Sequence, residues 1–239
     1  MLNDLNTQQA EKQARLAGIL YLIIIILAGF SEGYVRSSLI VTGDPLATVE
    51  NITGSTGLLR IGMASDLIAF ICDALVAVLF YYLLKPVNRT VAMIAMMLRL
   101  VAHPAIGSLN LVTHLVALNL VNGAGYLSAF SPEQINATVL TLFETHRYGY
   151  LIAGAFFGVH LLFLGYLLSR SELFPSLFGL VLLLAGMGYL IESFGNFLVP
   201  GHRELYGWIV AVPAVAGELT FSLWLIVKGI RNRLGLATT

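Results

Sequence analysis

The sequence predicts an all-α integral membrane protein, a bundle of six transmembrane helices. Three observations carry that prediction. Of 239 residues, 58% are hydrophobic and only 11% are charged, less than half of the roughly 25% usual in soluble domains. A soluble domain of this length must clothe its surface with charge. With a mean hydropathy of +0.85, this chain finds its solvent in lipid. Six stretches reach the length of about 20 apolar residues that a bilayer demands. The breaks between them hold turn residues, among them Pro86-Val87-Asn88, Asn122-Gly123-Ala124-Gly125 and Pro200-Gly201.

In chain order, the first span covers about 16–30, with a softer continuation to 41. Its apolar run sits at the upper edge of a signal-peptide core, and no clear small-x-small site follows, so it reads as a retained anchor. A connection over 31–60 follows, where Thr53 or Ser55 is placed to cap a short helix and Asn51-Ile52-Thr53 matches a glycosylation acceptor within a solvated loop. The second and third spans cover about 61–84 and 91–120. The fourth covers 148–168, with an amphipathic lead-in from 135. The fifth and sixth cover 176–199 and 207–227. The whole chain, 1–239, reads as one transmembrane domain. Gly154, Gly158 and Gly165 on the fourth span, and Gly179, Gly186 and Gly188 on the fifth, suit close helix packing.

Thirteen basic and thirteen acidic residues cancel. Without a basic stripe, nucleic-acid binding is excluded. The single Cys72 can form no intramolecular disulfide and reads as a small buried hydrophobe. Orientation follows from lysine and arginine. Lys12, Arg15, Lys85, Arg89, Arg170, Lys228, Arg231 and Arg233 fall on the side of the termini, against Arg36, Arg60 and Arg203 on the other. That bias places both termini in the cytoplasm.

Several stretches also resemble a known family. They are RLAGILYL at 15–22, YYLLKPVN at 81–88, GVHLLFLGYL at 158–167, AGMGYL at 185–190 and GELTFSLWLIVKG at 217–229. Together they resemble the bacterial membrane-protein family catalogued as domain of unknown function 4386, over nearly the whole chain. The resemblance implies a multi-pass protein of a bacterial cytoplasmic (inner) membrane. It implies no activity, so mechanism must come from the residues.

Charges inside a membrane are rare and face a bundle interior or a cavity. At about 1.5 Å per residue from each cytoplasmic end, His160, Arg99, Glu218 and Asp73 fall at about 12, 14, 15 and 17 Å, near the midplane. His103 and Glu192 follow at about 20 and 24 Å. Arg99, His103, Asn110 and His114 share one face of the third helix, as Asp66 and Asp73 do on the second and His146 and His160 on the fourth. Pro104 kinks the third helix beside His103. The cytoplasmic halves hold no ionisable side chains apart from tyrosines. The polar content therefore suits a pocket open to the outside and opposes a continuous channel.

Three readings remain open on these residues. In the first, Asp73, Arg99, His160 and Glu218 form the floor of a pocket that binds, and moves, a small or lipid-like molecule, with His103 and Glu192 above them. In the second, His103, His160 and Glu218 ligate zinc in a membrane-embedded hydrolase, although no metalloprotease spacing supports it. In the third, the charged groups pair and only hold a structural or regulatory subunit together. Asp73, Glu192 and Glu218 are three acids at depth, with Arg99 the only fixed positive charge expected there. The surplus calls for protons, charged histidines or a metal.

Overall fold

The computed structural model describes residues 4–123 and 125–230. Ala124 of the second turn, and Arg231 and Arg233 of the charge bias, lie outside them. The described residues form an all-α membrane bundle with six helices long and apolar enough to span a bilayer. These are Thr7–Leu39, Thr56–Leu84, Arg89–Val121, Pro132–Arg170, Ser176–Leu198 and Arg203–Lys228. We number them as the first to the sixth span. Leu109, Leu177 and Val227 are 74%, 65% and 65% exposed, which marks faces that meet lipid tails.

Local chemistry sets where the helices begin. The third span starts at Asn88, whose Oδ1 accepts from the Val91 amide at 3.1 Å. The fourth starts with a capping box. Ser131 Oγ accepts from the Gln134 amide at 3.3 Å, and Gln134 Oε1 accepts from the Ser131 amide at 2.9 Å. Pro132 follows at the first helical position, where its missing N–H costs nothing. With that start, the lead-in from 135 is continuous with the fourth span. The connection between the first two spans contains a helix, Pro45–Gly54. Asp44 caps it through the Ala47 amide at 3.0 Å. Thr53 instead donates back to the Val49 carbonyl, and Ser55 makes no side-chain cap. Asn51 donates to the Leu39 carbonyl, and Ile52 is fully buried, so the acceptor motif is folded into a helix.

Two apolar clusters bracket the bundle. The one nearer the termini holds Tyr21, Val76, Phe80, Phe157, Leu164, Phe221 and Leu225. The one at the opposite, distal end holds Val35, Leu39, Ile52, Leu59, Leu118 and Phe143. Glycines let the fourth and fifth spans approach closely. A Cβ on Gly158 would come within 2.9 Å of the Gly186 carbonyl oxygen, and one on Gly165 within 2.7 Å of that of Gly179. The fourth and fifth spans meet backbone to backbone, as small-residue packing in lipid requires.

Three spans change to π-helical winding for a single stretch: Ser31–Arg36, Val101–Gly107 and Val215–Leu219. Pro104 lies within the second stretch, and Pro213 lies two residues before the third. Each proline lacks an N–H and breaks the regular ladder. The first stretch carries Glu32 and Arg36, the second His103, and the third Glu218. Such bulges are rare and collect at functional sites.

Candidate functional site

The centre of the bundle is an ion pair in a place that should repel charge. Arg99 is fully buried and Asp73 is 1% exposed. Arg99 Nε donates to Asp73 Oδ1 at 2.8 Å, and Nη2 lies 2.5 Å from the same oxygen. An unpaired charge at this depth would cost roughly 2.5–3.5 kcal/mol on insertion scales. The guanidinium is also caged by aromatic rings, with Cζ 4.6 Å from the Tyr21 ring centre and 5.2 Å from that of Phe157.

Arg99 ties a histidine to the pair. Its Nη1 lies 3.2 Å from His160 Nε2, and His160 Nδ1 lies 2.7 Å from the Ala95 carbonyl oxygen. A carbonyl only accepts and a guanidinium only donates. His160 therefore carries its proton on Nδ1 and presents a bare Nε2 to Arg99. On the other side, Tyr21 donates to Glu218 Oε2 at 2.5 Å and Tyr189 donates to Glu218 Oε1 at 3.3 Å. His103 Nδ1 stands 3.3 Å from Asp73 Oδ2. Asp73 thus binds the guanidinium directly, and Glu218 reaches it only through Tyr21, whose ring lies against Arg99.

A second buried pair lies towards the distal end. Arg36 is 6% exposed and Asp66 fully buried. Arg36 Nη1 donates to Asp66 Oδ2 at 2.6 Å, and Nε donates to Glu32 Oε2 at 2.5 Å. Its Cζ lies 5.5 Å from the Tyr150 ring centre. Arg36 is therefore a second buried fixed cation, not a residue of an external connection. The first helix continues past Phe30, and Glu32 and Arg36 sit one turn apart on it. Beside this pair, Asn110 Nδ2 donates to the His146 carbonyl at 2.6 Å, and His146 Nδ1 lies 3.1 Å from the Asn110 carbonyl. His114 stacks on the His146 ring at 3.8 Å between centres.

A cavity of about 520 Å³ opens among the first, third, fourth and fifth spans and the start of the sixth. Six of its lining residues are acids and arginines: Glu32, Arg36, Glu144, Arg147, Glu192 and Arg203. His103, His146, Tyr150 and Tyr189 also line it. Of the six residues singled out from sequence, His103 and Glu192 face this cavity. Asp73, Arg99, His160 and Glu218 are not on its wall. Asp73 is hydrogen-bonded to His103 of the wall and Glu218 to Tyr189 of the wall, and Arg99 and His160 lie behind Asp73. His103, His160 and Glu218 therefore do not share one cavity wall. Among the described residues, no three His, Cys, Asp or Glu side chains are grouped to hold a metal ion. Both ring nitrogens of His160 are already occupied by Ala95 and Arg99.

Sequence reasoning missed Tyr21, Tyr189 and the Glu32–Arg36–Asp66 cluster. Tyr21 and Tyr189 do carry a signal, because each sits in an apolar run where a hydroxyl must find a partner. The Glu32–Arg36 spacing of four is a second signal.

Residues 16–229 match the family described as Domain of unknown function (DUF4386). The chain belongs to this family. The matched stretch contains every residue of both ion networks and the whole cavity wall. The chain is also 28% identical, over 160 residues, to an uncharacterised protein of Archaeoglobus fulgidus, covering 66% of this chain and 78% of that protein. No solved structure matches the DUF4386 chain.

Proposed function

We propose that this DUF4386 protein lies in the cytoplasmic membrane of a bacterium with both termini inside. In this reading its distal cavity opens to the exterior and binds, and moves, a small or lipid-like molecule. The observation that carries the reading is the cavity itself. Its volume of about 520 Å³ falls within the roughly 300–1,000 Å³ of small-molecule sites. Its wall combines apolar and aromatic side chains with charged ones, the pattern that fixes a ligand's orientation. The buried network behind it supports a proton-linked step. Asp73 pairs with Arg99 there, Tyr21 links Glu218 to the same guanidinium, and His103 connects Asp73 to the cavity. The apolar cluster nearer the termini supports closure on that side.

The test is native mass spectrometry of protein extracted with its membrane lipids. Wild type should retain a bound molecule. Ser37→Trp, which projects a large ring from the cavity wall, should lose it while keeping the fold by circular dichroism. A folded wild type that carries nothing, or a Ser37→Trp variant that keeps the same occupant, would contradict the reading.

A further inference from the structure

We infer that the cavity ligand is a zwitterion, a molecule carrying one cationic and one anionic group, held between Glu192 and Arg203. This rests on the binding reading above and deepens it.

Among the described residues, the charges on the cavity wall do not all find partners. Three acids and three arginines line the cavity. Glu32 is joined to Arg36 at 2.5 Å, and Arg36 is joined again to Asp66 at 2.6 Å. Glu144 is joined to Arg147 at 3.1 Å. Glu192 and Arg203 remain, and neither makes an ion pair among the described residues. They are opposite in sign, they face one cavity, and they stand at the adjoining ends of consecutive spans. Glu192 is half-buried within a span, where a carboxylate without a direct partner is costly. Arg147 and Arg203 line the same cavity. Neither arginine forms an ion pair with it among the described residues.

A ligand with both charges closes this gap. Its ammonium meets Glu192 and its phosphate or carboxylate meets Arg203, while Phe143, Tyr150 and Leu151 offer apolar and aromatic surface. A simple anion would meet Arg203 but confront Glu192, and a simple cation the reverse. The site therefore rejects singly charged molecules by repulsion as well as by lost contacts. A zwitterionic lipid headgroup and a free zwitterionic solute present the same chemistry.

The experiment uses the full chain. Binding of phosphatidylethanolamine and of phosphatidylglycerol is read by native mass spectrometry from lipid nanodiscs. Binding of soluble phosphoethanolamine, ethanolamine and inorganic phosphate is read by thermal shift. The zwitterion should bind in preference to the singly charged compounds. Glu192→Gln and Arg203→Gln should each weaken it about tenfold, and the exchange Glu192→Arg with Arg203→Glu should restore part of the loss. Preference for the lipid alone assigns a headgroup, and preference for phosphoethanolamine alone assigns a free solute; either supports the inference. If phosphatidylglycerol, ethanolamine or phosphate binds as well and Glu192→Gln changes nothing, the zwitterion is overturned while the cavity remains a binding site. If no compound binds and the native protein carries no occupant, both readings fall.

Discussion

Arg99 on the third span and Asp73 on the second are joined at 2.8 Å with almost no exposure to solvent. This contact couples the helices that carry His103 and His160 to the same carboxylate. Removing one member of a buried pair strands the other, at about 3–5 kcal/mol. Arg99→Leu should therefore lower the thermal stability of the purified protein steeply. Adding Asp73→Asn should restore part of it, because the stranded carboxylate is gone. Losses that simply add would contradict the coupling.

The fourth and fifth spans make a second prediction. Gly158→Ala places a methyl group 2.9 Å from the Gly186 carbonyl oxygen, and Leu190 Cγ at 3.0 Å and Tyr189 Cβ at 3.1 Å leave it little room. The helices must separate, at about 1–3 kcal/mol. Gly29→Ala is the control, since a Cβ there meets nothing within 4 Å. Thermal denaturation in detergent should distinguish the two, and equal melting temperatures would contradict the close contact.

Metal content gives a third. The zinc reading requires His160 to turn a ring nitrogen to a metal, yet Ala95 and Arg99 hold both. Purified protein should carry zinc well below one atom per chain by elemental analysis, and a chelator should leave its melting temperature unchanged. One tightly held zinc per chain would restore the hydrolase reading.

Much of the fold is legible in the sequence because lipid imposes a simple rule: a span is a long apolar run. Depth is legible too, since helical rise is constant. That arithmetic brings Arg99, Asp73, His160 and Glu218 to one level, where the structure links them directly or through Tyr21. What composition does not show is which groups a helix turns towards a void. His160 and Glu218 are at the right depth but face the network, while Tyr189 presents its ring to the cavity in their place. Arg36 was hidden for another reason. Ser31, Glu32, Gly33 and Arg36 interrupt the apolar run and read as a connection, yet a π-helical stretch carries the first helix through them. Local polarity there reflects a buried partner, Asp66, that lies thirty positions away.

The most direct test of an externally open cavity is cysteine labelling in intact cells. Cys72 is buried, and Cys72→Ala provides a silent background. Ser37→Cys, on the cavity wall, should react with a membrane-impermeant maleimide added outside. Lys85→Cys, in the turn after the second span, should react only after the cells are opened. Labelling of Lys85→Cys from outside with Ser37→Cys silent would reverse the orientation, and silence of Ser37→Cys under both conditions would contradict an open cavity.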